Sequence, residues 1–241
     1  MAFETRDDVA RGTQVAIPRE AAAAEIGFLR GVYGWMSAGL ALTALLALFT
    51  ASSPALLQAI FGNRIVFYAL VFGELGLVIA VTGAINRLSP AAATGLFLLY
   101  AGLNGVTLSA ILLVYTGSSI AATFFVTAGM FGSMSLYGAL TKRDLASWGS
   151  FLFMGLIGVL IASVVNIFMK SDMVSWVMAV CGVIVFTGLA AYDTNKLRAL
   201  ARQGFADAGA ERKGAIVGAL ALYLDFINIF LMLLRLFGSK R

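Results

Sequence analysis

The longest uncharged stretch of this sequence, Leu88 to Thr141, most constrains how the chain can fold. A helix needs about 20 mostly apolar residues to cross a bilayer, so this stretch is too long for one crossing helix and can hold two. Across the chain, 61% of the residues are hydrophobic and 12% are charged. Soluble domains carry roughly 25% charged residues, so the sequence predicts an integral membrane protein.

Charged and turn-forming residues divide the chain into seven predicted transmembrane α-helices, so the predicted fold is all-α and polytopic. Thr116–Ser119 separates the two helices within the long uncharged stretch. The other predicted spans, in chain order, are Gly31–Thr50, Ile65–Ile85, Leu145–Met169, Met173–Tyr192 and Gly214–Phe237.

The predicted organisation is a single transmembrane domain over residues 27–238, with a flexible cytoplasmic tail over 1–26 and a C-terminal tail over 239–241. Between the last two spans we expect a basic cytoplasmic loop over 195–213. With the N-terminus in the cytoplasm, twelve of the 17 lysines and arginines lie on the cytoplasmic side, as the positive-inside rule favours. The C-terminus is then outside. The sequence has no Asn-x-Ser/Thr acceptor, which favours a bacterial inner membrane.

Missing residue types exclude several classes of enzyme. The chain has no histidine, which removes Ser-His-Asp triads and His-based zinc proteases. Cys181 is the one cysteine, so a cysteine zinc site is excluded as well. No glycine-rich dinucleotide motif or P-loop is present. We therefore expect no enzymatic activity, no resident cofactor and no nucleic-acid partner, and we attribute the net charge of +5 to cationic loops.

Asp225 is the most unusual charge, because it lies about 15 Å into the last predicted span. An aspartate at the centre of a membrane helix costs about 2.5–3.5 kcal/mol on insertion scales, so such a residue tends to have a function. Asn228 follows one turn later on the same face. Asp225 is therefore either a proton or cation site, or a protonated aspartate that hydrogen-bonds a neighbouring helix.

Three further charges lie within or at the ends of predicted spans. Asp193 ends the sixth span and has Lys196 three residues on, so it is either functional or part of an interfacial ion pair. Arg87 lies at a similar depth and either pairs with Asp193 or reaches lipid phosphate. Glu74 lies mid-span and is either protonated or faces a pore.

Two segments, Gly188–Thr194 and Ala219–Gly238, together resemble the transmembrane Bax inhibitor motif family, and Phe72–Leu77 around Glu74 is also similar. The resemblance, to a bacterial-type member, implies six helices packed around a central seventh. It implies a calcium leak controlled by pH through an aspartate pair. By match to the family pattern, Asp193 and Asp225 are the pH sensor and the calcium ligands. Arg87 matches the latch on Asp193, and Glu74 matches the carboxylate of the second span. Tyr192 and Asn228 are supporting polar neighbours.

Calcium is then a permeant or weakly bound ion, since two carboxylates fill only part of the six to eight oxygen positions that it takes. The other expected partners are protons, the lipid bilayer and a second membrane protein. Two alternative functions remain open. An adaptor would bind its partner through the tail and the 195–213 loop. An intramembrane aspartyl protease would use the same aspartates, but Tyr223-Leu224-Asp225 replaces the Gly-x-Gly-Asp that lets substrate backbone approach.

Overall fold

The computed structural model describes residues 19–241, with side chains from residue 22 onward. The described residues are almost entirely helical, and all helices but α2 are long and apolar enough to cross a membrane. The predicted all-α fold with seven spans is confirmed. The helices are α1 (Arg19–Ala51), α2 (Pro54–Phe61), α3 (Arg64–Gly83), α4 (Pro90–Val114), α5 (Gly117–Leu140), α6 (Ala146–Met169), α7 (Asp172–Gln203) and α8 (Ala208–Phe237).

Hydroxyl and carboxylate side chains start most of these helices by accepting a hydrogen bond from a free backbone N–H, as N-caps do. Ser89 caps α4, whose first residue is Pro90, and Thr116 caps α5. The turn that begins at Thr116 therefore divides the long uncharged stretch where the sequence predicted a division. Ser53 in the same way caps α2, a short helix that the prediction took for part of a loop.

The predicted loop over 195–213 is wrong, because most of it is helical. α7 continues to Gln203 and α8 begins at Ala208, so the connection covers only residues 204–207. Gly204 adopts φ +78°, which favours glycine, and Asp207 caps α8. A charged residue ends a membrane span but does not end a helix. At about 1.5 Å per residue, the 32-residue α7 measures about 48 Å and exceeds a bilayer core of about 30 Å.

The predicted N-terminal tail over 1–26 is also shorter than expected where the structure describes it, since α1 already begins at Arg19. The remainder of that prediction, residues 1–18, lies outside the described residues. Glu25, within the first turns of α1, accepts hydrogen bonds from Arg198 Nε at 2.8 Å and Arg202 Nε at 2.7 Å. Arg198 Nη1 also donates to the Thr141 carbonyl at 2.9 Å. These contacts join α1, α5 and α7 at the end of the bundle where α7 meets α8, which we call the basic end.

The last helix, α8, is the most buried of the spans, with 61% of its most apolar window inside the protein. It packs against α7, α1, α5 and α4 and touches α3, while α6 packs mainly against α7. Tyr223 and Leu220, both fully buried on α8, lie at the centre of this core. At the end opposite the basic end, backbone bonds from Thr116 to Ser239 and from Arg241 to Val114 attach the chain after α8 to the α4–α5 turn.

Candidate functional site

The two predicted sensor aspartates lie side by side on the neighbouring helices α7 and α8. Asp225 is buried, with 4% of its surface exposed, and Asp193 is half-buried. Both side chains line the same cavity, so the two carboxyls face a common space. Two carboxylates in one space repel each other when both are ionised, so the arrangement favours the protonation of one of them. Asp193 and Asp225 therefore belong to one candidate site.

The register of α7 against α8 explains how residues predicted at different depths meet. Gly218 faces the Leu197 side chain, so in this antiparallel pair Asp193 lies about one turn from Asp225. Side chains lean toward the N-terminus of their helix, so the two carboxyls lean toward each other. The glycine also permits the close approach, since a Cβ there would collide with Leu197. The early start of α8 at Ala208 supplies the extra turns that the pairing needs.

One oxygen of the pair has no partner. Among the described residues, Asp225 Oδ2 is buried without a hydrogen bond. A buried carboxylate oxygen without a partner is costly, and in native structures such an atom usually indicates a missing proton, water or ion. The free oxygen therefore leaves room for a bound proton or cation at this position.

Two cavities lead to the pair. The inner cavity, of about 600 Å³, lies among α3, α6, α7 and α8 and is lined by Asp193, Asp225, Tyr192 and Asn228 among others. The outer cavity, of about 550 Å³, extends toward the basic end and is lined by Asp193, Asn86 and Lys213 among others. Asp193 lines both cavities. Asp193 therefore lies where the two cavities adjoin, and Asp225 lines the inner one alone.

Tyr192 and Asn228, which the sequence suggested as polar neighbours of the aspartates, both line the inner cavity. Asn228 Nδ2 donates to the Leu224 carbonyl at 2.8 Å, so its amide oxygen remains available to the cavity. The Tyr192 ring packs where a Cβ on Gly149 would stand, and Lys196 Nζ lies 6.0 Å from the centre of that ring. The structure therefore places Tyr192, Asp193, Asp225 and Asn228 around one cavity.

Arg87 does not join this group. It ends a short 3-10 turn, residues 85–87, that follows α3, and its side chain is exposed. Among the described residues it has no carboxylate within 4.0 Å, so the predicted ion pair with Asp193 is not present. The 3-10 turn carries Arg87 past the mouth of the outer cavity, whereas its neighbour Asn86 lines that cavity. Arg87 and Asp193 were expected at a similar depth in the membrane, but a similar depth does not bring two side chains into contact.

Glu74 belongs to a separate polar network on the other side of α8. Its carboxylate accepts hydrogen bonds from Thr107 and, at 3.4 Å, from Asn104 Nδ2. Asn104 Oδ1 accepts from the Tyr223 hydroxyl at 3.2 Å, and that hydroxyl lies 2.7 Å from Thr43 Oγ1. The network joins α3, α4, α8 and α1 near the middle of the bundle. Glu74 is half-buried and paired, and it lines neither the inner nor the outer cavity.

This network was missed at the sequence level, although two signals pointed to it. Asn104 is an amide inside an uncharged span, and such residues usually hydrogen-bond a neighbouring helix. Tyr223 lies two residues before Asp225, so the two side chains point to nearly opposite sides of α8. The same helix therefore serves both polar groups, one on each face.

The donor set allows weak calcium binding at most. The described residues contain no cluster of three or more His, Cys, Asp or Glu side chains that could hold a metal ion. Asp193 and Asp225 supply carboxylate oxygens, and the remaining positions of a calcium ion would need water and amide or carbonyl oxygens such as that of Asn228.

Comparisons with known proteins identify the family. The family model described as "Inhibitor of apoptosis-promoting Bax1" matches residues 26–241. The chain is 52% identical to the inner membrane protein YbhL of Escherichia coli over 215 residues, which cover 89% of this chain and 92% of that protein. It is also 45% identical to a protein of Borreliella burgdorferi and 42% identical to one of Rickettsia prowazekii, with 89% of this chain covered in each case and 92% and 90% of those proteins. The chain therefore belongs to the Bax inhibitor family of membrane proteins.

Proposed function

We propose that the protein is a pH-sensitive calcium leak channel, in which Asp193 and Asp225 sense protons and contact the permeating ion. The single observation that carries the proposal is that these two carboxyls line one cavity, with Asp225 Oδ2 buried and unpartnered. Charged groups inside a membrane protein are rare and mark ion or proton pathways. An adaptor would have no need of this costly arrangement.

The proposed cycle follows from the charge of the pair. With one shared proton, the two carboxyls hold α7 and α8 together. A change in proton number alters both the attraction between the helices and the number of oxygens available to a cation. Calcium then passes through the outer cavity, past Asp193, to Asp225 and the inner cavity. No covalent bond is made or broken, so the proposal describes a channel and not an enzyme.

Arg87 enters the proposal as a latch for a closed state. Its neighbour Asn86 already lines the outer cavity, and a small inward movement of the turn at residues 85–87 would carry the guanidinium toward Asp193. An ionised Asp193 would then pair with Arg87 and close the mouth of the outer cavity. Protonation of Asp193 would remove the charge and release the latch.

We further propose that the protein lies in a bacterial inner membrane with its N-terminus in the cytoplasm. The relative in Escherichia coli is named an inner membrane protein, and an odd number of spans would put the two termini on opposite sides of the membrane. The lysines and arginines near the basic end, including Arg198, Arg202 and Lys213, favour the cytoplasmic side for that end. Calcium that enters through the outer cavity would then meet the pair from the cytoplasm.

Liposomes with a calcium dye inside test the proposal. Purified protein is reconstituted and calcium flux is followed between about pH 6 and about pH 8, with empty liposomes as the baseline. We expect a protein-dependent flux that varies with pH. Asp193→Asn and Asp225→Asn should each remove the pH dependence, because an amide keeps the size of the group without titrating. Flux equal to that of empty liposomes at every pH would refute the channel and favour an adaptor.

A further inference from the structure

Lys196 occupies the junction between the two cavities. Besides Asp193, the residues that line both cavities are Lys196 of α7 and Val217 and Ala221 of α8. Lys196 lies one turn beyond Asp193 toward the basic end and on the same face of α7. Lys196 thus contributes to the walls of both cavities, as Asp193 does.

The ammonium of Lys196 is not neutralised by a close partner. Within residues 22–241, no carboxylate lies within 4.0 Å of it, although Asp193 is near enough to interact through the Coulomb force. Its Nζ lies 6.0 Å from the centre of the Tyr192 ring, which itself lines the inner cavity. The ring faces the positive charge with its electron-rich side, at the outer limit of such contacts. The exposed lysine thus adds a positive charge without a close carboxylate partner to the walls of both cavities.

We propose that Lys196 is a selectivity-determining residue, a fixed positive charge that limits the passage of divalent cations from the outer cavity to the aspartate pair. The inference rests on the proposed channel function. The other charges that face this junction are Asp193 of α7, Asp225 of α8 and, further out in the outer cavity, Lys213 of α8. The two aspartates attract a cation to the site, and Lys196 opposes that attraction at the last step before it.

The physical consequence is a dependence on ion valence. Coulomb repulsion from one fixed charge is twice as large for Ca²⁺ as for K⁺ at the same distance and dielectric. Loss of the Lys196 charge should therefore increase calcium flux by the square of the factor by which it increases potassium flux. A change in packing, in contrast, would alter both fluxes by a similar factor. The ratio of the two fluxes separates an electrostatic role from a structural one.

The test compares Lys196→Gln and Lys196→Arg with the wild-type protein in liposomes, with calcium flux and potassium flux measured separately. Lys142→Gln is the matched control, since Lys142 is an exposed lysine of the basic end that lines neither cavity. We expect Lys196→Gln to raise calcium flux about fivefold and potassium flux about twofold, as a repulsion of about 1 kcal/mol on the divalent ion implies. Lys196→Arg and Lys142→Gln should stay near wild type.

Three results would overturn the inference. The first is a wild-type calcium flux in Lys196→Gln, and the second is an equal rise in both fluxes. The third is a lower calcium flux in Lys196→Gln, which would mean that the lysine supports the aspartates. Asp193→Asn in the same series separates a failure of the Lys196 inference from a failure of the channel proposal.

If Asp193→Asn still changes calcium flux, only the role of Lys196 is refuted. If no variant has a protein-dependent flux, both the role of Lys196 and the channel proposal are refuted. Elution as a single folded species by size-exclusion chromatography qualifies each variant.

Discussion

Tyr223→Phe removes one hydroxyl from the centre of the bundle and leaves the packing of the ring in place. The Tyr223 side chain is fully buried, and its ring packs edge-on against Phe97 and Tyr100 at centroid distances of 6.0 Å and 5.7 Å. Phenylalanine keeps those contacts. The hydroxyl, however, donates to Asn104 Oδ1 and contacts Thr43 Oγ1. The substitution therefore isolates the contribution of one polar link between α8 and its neighbours.

The expected loss of stability depends on which atoms lose a hydrogen-bond partner. Thr43 Oγ1 keeps its contacts with the Gly39 and Ala101 carbonyls, at 2.9 Å and 2.8 Å. Asn104 Oδ1 loses the donor that the structure gives it. A buried acceptor left without a partner costs about 1–3 kcal/mol in proteins, and hydrogen bonds between membrane helices average about 0.6 kcal/mol with a maximum near 1.7. We therefore expect Tyr223→Phe to lower the free energy of unfolding by about 1–2 kcal/mol.

The assay is reversible unfolding in mixed micelles, followed by circular dichroism as the fraction of denaturing detergent rises. Tyr100→Phe is the matched control, since the Tyr100 hydroxyl accepts a single longer bond of 3.4 Å from Asn104 Nδ2 and should lose less. A double-mutant cycle with Thr43→Val measures the coupling between Thr43 and Tyr223 directly. A wild-type free energy of unfolding for Tyr223→Phe, or equal losses in the two Tyr→Phe variants, would refute the reasoning.

Three further predictions concern other parts of the molecule. Glu25→Gln should lower the free energy of unfolding by about 1 kcal/mol in low salt and by less in high salt, because the two arginines of α7 lose a partly exposed charged partner. Equal losses at both salt concentrations would contradict this prediction. Gly138→Ala should lower the free energy of unfolding by about 1–3 kcal/mol, because its Cβ would collide with the Ala191 carbonyl. Gly95→Ala is the control, because Gly95 has open space around it and its substitution should not destabilise the protein. Equal unfolding curves for the two variants would refute the close approach at Gly138. Arg87→Gln should raise liposomal calcium flux if Arg87 latches the closed state, and wild-type flux at every pH would remove the latch from the proposal.

The number of membrane spans could be predicted because a bilayer imposes one length on every helix that crosses it. The lengths of the apolar stretches between charged and turn-forming residues therefore located seven spans, and the turn that begins at Thr116 located the division within the longest uncharged stretch. Helix ends outside the bilayer follow no such rule. This is why the predicted loop over 195–213 was wrong, and why α2, which is too short to span, was missed.

The site could be predicted only where residue type was sufficient. Asp193 and Asp225 stood out because carboxylates are costly inside a membrane, but their place in one cavity depends on the register set near Gly218, which no spacing in the sequence reveals. The expected contact between Arg87 and Asp193 rested on similar depth and on the family resemblance, and the structure does not show it. Glu74 was expected to be either protonated or facing a pore, and in the structure two polar neighbours on α4 hold it in a separate network.

The central claim is that Asp193 and Asp225 act as one proton-sensing unit in a calcium channel, and a double-mutant comparison of flux tests it most directly. Asp193→Asn, Asp225→Asn and the double variant are reconstituted at equal density, and calcium flux is measured between about pH 6 and about pH 8. If the carboxyls share a proton, either single substitution already removes the shared titration, so all three variants should show the same flux, independent of pH. Single variants that each keep a pH dependence, with a double variant whose loss equals the sum of the two, would contradict the account.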